Sequence, residues 1–386
     1  MNIIIQIYMI MCVILLVFDI SFLLVKNIKK MTFYKSNSTF ERMLKKEIAK
    51  REKDGEFSLN FINILPKALS RTKNLVVLQN ALEENPHSKD WFKPMIFSLV
   101  DTYKQKSDYD QAFYIYVVSQ LGYNETVPSD FASHFMSFLD SKSLYTFSNT
   151  MDALYAFSEI NLLIAGIEKV DERDGFYHKK LFVDGLLTVK VDKKVLAEKL
   201  LERFNNYKLH TKEALLDYFR MIDVDVSEFC LNLLKSKSEE PEITYACMRY
   251  FVKYANDKAK DIFINILETE NVDWVKQMLA IQGLRKYSDD KIEKVIKLKI
   301  TDRNWYVRLN ALEYLFANGL DNERIAEIFE TKDKYTLETL LYLFKNDEEK
   351  SVLITKALEE IASSQKSEEK EGVTVWLALV LRLAMF

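Results

Sequence analysis

The chain has 386 residues, 48% of them hydrophobic, enough for two or three ordinary domains or one long repeat array. Only 8 Gly and 5 Pro argue against a turn-rich β protein and for long helices. Net charge is −3 but unevenly spread: after Lys53 there are 44 Lys and Arg against 53 Asp and Glu, and an acidic body argues against a nucleic-acid partner.

Ile3 to Val25 is an apolar run of 23 residues with one charge, Asp19. As a helix it would measure about 34 Å, enough to cross a bilayer. A cleaved signal peptide wants a basic start and a small-residue cleavage site. MNIIIQ has no Lys or Arg, and no A-x-A pattern follows. The sequence thus predicts an uncleaved transmembrane anchor over 1–26, in a single-pass protein of the cell membrane. Ten Lys and Arg lie between residues 26 and 53, against three Glu. By the positive-inside rule they put the N-terminus outside and the body in the cytoplasm.

Residues 27–107 read as a basic juxtamembrane helix and N-terminal helices. Within 31–56, Phe40, Met43, Leu44 and Ile48 form an apolar stripe amid Lys and Arg. Such a stripe suits an anionic lipid surface or, equally, an ordinary helix packed on the body. Gly55 breaks it. Helical runs follow at 58–84, closed by Asn85-Pro86, and at 90–104.

From Asp108 to residue 371 the pattern repeats. A small residue is followed four later by a large apolar one: Ala112/Tyr116, Ala153/Phe157, Ala214/Tyr218, Ala246/Tyr250, Ala280/Leu284 and Ala311/Leu315. The last four pairs are spaced 32, 34 and 31 residues apart. Gly185 takes the small position in HKKLFVDGLLTV, and Thr339/Leu343 continues the series. A small residue lets two helices approach, and the large one fills the space beside it. Partner helices are predicted at Val195–Phe204, Val226–Leu234, Ala259–Leu267 and Ile292–Leu298. The expected fold is all-α: an N-terminal transmembrane helix followed by an α-solenoid of antiparallel helix pairs.

The clearest copy is TDRNWYVRLNALEYLFANGL, Thr301 to Leu320. Asp302 is its predicted N-cap and Gly319 its predicted C-cap residue. Val307, Ala311 and Leu315 share one face; Trp305, Leu309, Leu312 and Phe316 make a second apolar side, as in a helix sandwiched between neighbours. Asp302, Val307, Arg308, Ala311 and Leu315 together resemble the second helix of a HEAT repeat. KLFVDGLLTV at 180–189, EITYACMRYFVKY at 242–254 and RNWYVRLNALEYL at 303–315, behind an apolar N-terminus, resemble a bacterial group of membrane-anchored HEAT-repeat proteins. The resemblance implies a non-enzymatic scaffold with protein partners, possible companions of envelope machinery such as membrane glycosyltransferases. The competing class is an enzyme on a HEAT-like fold, of the base-glycosylase or tetrapyrrole-lyase type. The first enzyme needs a positive groove and the second a deep closed pocket.

No residue pattern announces chemistry. His87, His134, His178 and His210 are far apart, with no HExxH and no Cys/His cluster at metal spacing. No phosphate-binding glycine loop and no GxSxG are present. Glu239-Glu240 and Asp289-Asp290 fall between helices, where acids cap and solvate. Cys230 and Cys247 lie in helical patterns and read as buried, reduced thiols, and Cys12 lies in the apolar N-terminus. No catalytic residue, cofactor or metal is expected. The candidate partner groove is the least apolar arc of the second helices: Glu213 and Arg220, Tyr245 and Met248, Gln282 and Lys286, and Tyr306, Asn310 and Glu313. Gly372 to Phe386, GVTVWLALVLRLAMF, is an apolar C-terminal helix by sequence, either the innermost helix of the last repeat or a second attachment to a membrane or partner.

Overall fold

The structure, a computed structural model, describes residues 39–121, 127–173, 177–236, 240–318 and 333–346, with isolated positions at 11, 14–18, 20, 21, 328 and 352. Among these the regular structure is helical, with no strand. The expected C-terminal helix 372–386 and the expected cap Gly319 lie outside the described residues.

The N-terminal transmembrane helix is not supported. Among the described residues no helix is long and apolar enough to cross a membrane. Of residues 3–25 only 11, 14–18, 20 and 21 are described, helical and exposed. A span needs about 20 consecutive helical apolar residues, and an apolar run in sequence supplies the composition without supplying that helix.

The chain divides into two compact units, 1–196 and 197–386. In the first, α1 (residues 39–54) is the expected basic helix. Its stripe is core: Phe40, Leu44 and Ile48 are buried. Its polar edge is also engaged. Glu47 accepts from the Ser58 amide at 3.0 Å and hydroxyl at 2.9 Å, and Glu52 meets His87 at 2.8 Å. Arg51 lies over the rings of Phe57 and Trp91 at 4.5 and 5.0 Å. Gly55, at φ +82°, ends the helix, a backbone that glycine adopts without a Cβ clash.

The run expected at 58–84 is two helices, α2 (Leu59–Leu69) and α3 (Thr72–Glu84). They part at Ser70, whose hydroxyl turns back to the Lys67 carbonyl at 2.8 Å. Next come α4 (Lys89–Phe97), α5 (Val100–Lys104), α6 (Asp108–Leu121), α7 (Ser129–Phe135), α8 (Leu144–Phe157), α9 (Ile160–Glu172) and α10 (Lys179–Thr188). The core of this unit is aromatic. Tyr103 stacks on Tyr114 at 4.5 Å, and both hydroxyls reach main-chain carbonyls, Leu69 at 2.8 Å and Ile96 at 2.9 Å. Buried hydroxyls need such partners. Gly185 explains how α10 approaches α8: a Cβ there would lie 2.0 Å from the Tyr155 ring.

The unit boundary falls within α11 (Lys193–Arg203). The second unit contains α12 (Leu209–Met221), α13 (Ser227–Lys235), α14 (Pro241–Lys253), α15 (Asp257–Glu268), α16 (Trp274–Leu284), α17 (Asp290–Lys297), α18 (Trp305–Ala317) and α19 (Lys334–Phe344). Their order of packing alternates. α12, α14, α16, α18 and α19 each touch the next of that series, while α13, α15 and α17 each pack on the helix that follows them. The predicted small residues line the seams: Ala214, Ala246, Ala280, Ala311 and Thr339 are all buried, as are Tyr218, Tyr250, Leu284 and Leu315 beside them. Two large members of the series are less covered: Leu343 is half-buried, and Tyr116 of the α6 pair is 38% exposed.

Short polar caps start these helices. Asn256, Asp273, Asp289, Asn304 and Asp333 each accept from a backbone amide one turn inside α15, α16, α17, α18 and α19, satisfying donors the helix leaves open. For α18 the cap is Asn304, which accepts from the Tyr306 amide at 2.9 Å, and not Asp302. Asp302 lies outside the helix and accepts from the Asn304 amide at 2.8 Å, tightening the turn before it.

The C-terminal ends are closed differently. Arg220, Lys253 and Lys286 stand 33 residues apart, each at or near the end of a helix of the α12, α14, α16 series. The Lys253 ammonium donates to the Arg220 carbonyl at 2.8 Å, and that of Lys286 to the Lys253 carbonyl. At these two junctions a lysine of one repeat thus caps the helix of the one before, where the helix leaves carbonyls open and its dipole favours a cation.

Candidate functional site

The residues expected to form a partner stripe lie on α12, α14, α16 and α18, with Lys286 just past the end of α16, but not all face outward. Met248 is fully buried and Asn310 is 5% exposed. Glu213, Arg220, Tyr245, Gln282 and Glu313 are half-buried, and Lys286 is exposed. Several of them bind repeat to repeat. Asn310 Oδ1 accepts from Gln282 Nε2 at 3.0 Å and from Arg285 at 2.6 Å, while its Nδ2 donates to the Tyr306 carbonyl at 2.8 Å. Arg285 also pairs with Glu313. Tyr245 donates to the Asp273 carboxylate at 3.0 Å; burial first, and then that acceptor, pushes its phenol up to about 12. Arg220 pairs with Asp217 at 3.4 Å.

Of the repeat-signature residues, Val307, Ala311 and Leu315 are buried and Trp305 is half-buried. Arg308 is 5% exposed. Its guanidinium donates to the carbonyls of Asp302 and Arg303 at 2.8 and 3.0 Å and to the Thr339 hydroxyl on α19 at 3.3 Å.

What faces outward is a row of rings, only partly foreseen. Trp274, at the start of α16, stacks on Tyr306 at 5.5 Å with 22° between planes. Trp305 stands edge-on to Tyr306 at 5.1 Å and 79°, and to Tyr342 of α19 at 5.3 Å and 75°. Trp274, Tyr306 and Tyr342 are 42%, 50% and 62% exposed. Sequence reading found Tyr306 as a stripe residue and Trp305 as a packing residue, but missed Trp274 and Tyr342. The signal for Trp274 was its place directly after an Asx cap, as in Asp273-Trp274 and Asn304-Trp305-Tyr306.

The first unit holds an open cleft of about 590 Å³ between α4, α5 and α7, floored by Phe97 and Phe131 and rimmed by Lys93, Asp101, Asp130 and His134. Phe97 and Phe131 stack at 4.1 Å. His134 Nδ1 meets Asp101 at 2.9 Å. The two serine hydroxyls at the rim, Ser98 and Ser133, donate to the carbonyls of Met95 and Asp130 at 2.7 and 2.9 Å, so neither is aligned with a base as a nucleophile requires. The pocket is open and mixed in charge.

Other polar residues serve the fold. His178 caps α10, its Nδ1 accepting from the Lys180 amide at 3.2 Å. Asp289 caps α17. Among the described residues no group of three or more His, Cys, Asp or Glu is arranged to hold a metal ion. Cys230 of α13 and Cys247 of α14 are buried free thiols. The Cys247 side chain and then burial hold the Cys230 thiol well above the ordinary range, which suppresses the reactive thiolate. Cys230 in the native protein is therefore expected to resist an aqueous disulfide reagent and to react once urea unfolds the chain. Rapid native labelling of Cys230, assigned by peptide mapping, would show an accessible thiolate instead.

No family model matches the chain, and no curated protein matches it. Among solved structures, a crystal structure of an engineered protein from the Northeast Structural Genomics Consortium aligns over 83% of this chain and 87% of its own, with 13% identity and a TM-score of 0.25. A likeness so low carries no argument about this chain. Among the described residues the chain is all-helical, and its second unit stacks helices in a two-helix repeat.

Proposed function

We propose that the chain is a non-enzymatic, HEAT-like helical-repeat scaffold that holds a protein partner on the outward edge of α16, α18 and α19. The observation that carries this reading is the row of rings in which Trp274, Tyr306 and Tyr342 are exposed and half-buried Trp305 joins the last two. Trp and Tyr supply large, stiff contact area and dominate the energetics of protein interfaces. Contiguous exposed rings are unusual on a surface without a partner. Here the rings are held in place by one another and by the capped starts of α16 and α18. The Gln282–Asn310–Arg285–Glu313 network, further along the same helices, fixes α16 against α18, as a docking surface requires.

The test is a photo-crosslinking amino acid placed at Tyr306 in the full chain, expressed in its own host cell. The control carries it at Tyr109, which is 76% exposed in the other unit. Discrete protein adducts from position 306 and not from 109 are expected. The same adducts from both positions, or none from 306, would remove the row as the binding surface.

A further inference from the structure

We infer that the start of the first unit docks on an anionic lipid surface, with Lys46, Lys50 and Lys53 of α1 meeting the headgroups and Leu59 and Ile62 of α2 entering among the acyl chains. The aromatic row plays no part in this. Two kinds of exposed surface border each other here. On α1, Arg42, Lys46, Lys50 and Lys53 recur at spacings of four, four and three, so they share one side of the helix, and all four are exposed. Among the described residues no carboxylate pairs with Lys46, Lys50 or Lys53. The acids of α1 are turned elsewhere: Glu41 meets Lys45 at 2.8 Å, Glu52 meets His87 at 2.8 Å, and Glu47 holds the Ser58 amide and hydroxyl at 3.0 and 2.9 Å. Asp54 and Glu56, beside Gly55, are exposed and are the nearest opposing charges.

The second surface is α2, LNFINILPKAL, which has no acid and one base, Lys67. Phe61, Leu65 and Leu69 make its buried side. Leu59, Ile62 and Pro66, three and four residues apart, make an outward one: Leu59 is 80% and Ile62 38% exposed, and Pro66 is exposed too. Glu47 lies next to Lys46 on α1, and its bond to Ser58, the cap of α2, brings the start of this apolar stripe beside the basic side. The chemistry selects the occupant. Protein interfaces are poor in lysine, and their hot spots are Trp, Tyr and Arg, with leucine under-represented. A single-stranded nucleic acid stacks on exposed rings, whereas the rings here, Phe57 and Phe61, are buried. Unpaired lysines beside bare aliphatic side chains match a bilayer surface, where long basic side chains reach the headgroups and apolar ones sink about 5–10 Å. Such docking needs no helix that crosses the membrane.

The experiment places a nitrobenzoxadiazole dye on α2 of the full chain, through Asn63→Cys, at an exposed position next to the stripe. Cys12→Ser in the same chain leaves the buried Cys230 and Cys247 as the only other thiols. The dye reports whether α2 itself enters lipid, whatever the rest of the chain does. Its emission is expected to shift to the blue on vesicles of phosphatidylcholine with one third phosphatidylglycerol, and to stay unshifted on phosphatidylcholine alone. Each of Lys46→Gln, Lys50→Gln and Lys53→Gln is expected to raise the lipid concentration at half-shift about fivefold, and Leu59→Gln about tenfold. Leu144→Gln, at a residue 70% exposed on α8, is expected to change nothing, and melting temperatures to stay level. Raising the salt tenfold is expected to reduce the shift. No shift on the anionic vesicles, an equal shift on both kinds, or indifference to the lysine variants overturns the inference. Polyglutamate offers negative charge without an apolar phase. An equal blue shift with it would make an acidic protein the occupant and overturn the inference as well.

Discussion

Gly185→Ala is expected to destabilise the protein by about 2 kcal/mol, in spite of alanine's better helix propensity. Propensity favours the change by roughly 1 kcal/mol in a helix interior. Against it, the new Cβ would sit 2.0 Å from Tyr155 Cε2 and 2.5 Å from two further ring atoms. Tyr155 is 2% exposed, so its ring has no empty volume to move into, and overpacking of this kind costs about 1–3 kcal/mol or more. In thermal unfolding the loss should appear as a drop of roughly 4–8 °C. Tyr155→Leu in the same chain removes the obstructing ring. The double variant should therefore lose less than the two single losses added together, since the pair is in contact. Gly55→Ala is the contrast, because nothing lies within 4 Å of that Cβ and only the left-handed backbone opposes it, by about 1–2 kcal/mol. A neutral Gly185→Ala would mean that α8 and α10 are not held as closely as the structure has them.

Arg308→Met is the second large effect, an expected loss of about 2–3 kcal/mol. Methionine keeps much of the stem's packing and removes the donors. The guanidinium, 5% exposed, ties the carbonyls of Asp302 and Arg303 and the Thr339 hydroxyl to one point. Without it the turn before α18 and the contact to α19 lose their common anchor, and hydrogen bonds to a charged group contribute about 1.5–3 kcal/mol. Urea unfolding followed by circular dichroism measures the loss. Arg308→Lys should recover only part of it, because one ammonium cannot span the three acceptors as the planar fork does. Full recovery with lysine would show that charge, and not the fork, matters here.

The seams between helices were legible because their signal is local. A small residue with a large one four later is a helical-face pattern, and Ala246, Ala280 and Ala311 fall on the buried seams it implied. The partner helices were legible for the same reason: α13, α15 and α17 begin and end within a few residues of their predicted spans. The outward face was less legible. Helices such as α18 are apolar on two sides, so the remaining arc in sequence includes interior polar positions. Asn310 looks like a surface residue, yet it sits inside because Gln282 and Arg285 of α16 satisfy it. Met248 carries no polar atom to signal its place. Asp302 and Asn304 are both competent caps two residues apart, and the choice depends on where the turn closes. Nothing in sequence pairs Lys286 with a carbonyl 33 residues earlier, since an exposed lysine near a helix end reads as solvated. The apolar run 3–25 has the composition of a span, but composition does not supply the long apolar helix that is missing among the described residues.

The capping lysines give the second unit a polarity. Lys286 finishes the helix that ends at Lys253, and Lys253 finishes the one that ends near Arg220, so α14 and α12 each take a donor for their last turn from residues that follow them in the chain. Loss of a downstream repeat strips a donor and leaves buried seams beside a fraying end. Loss of an upstream repeat also bares a buried seam, but at the capped turn it removes only an acceptor, and the stranded ammonium turns to water at little cost. The buried seams are shared by both neighbours, but this capping belongs to the upstream helix alone. A break in the array therefore leaves open carbonyls on the helix upstream of it and a solvated lysine on the helix downstream.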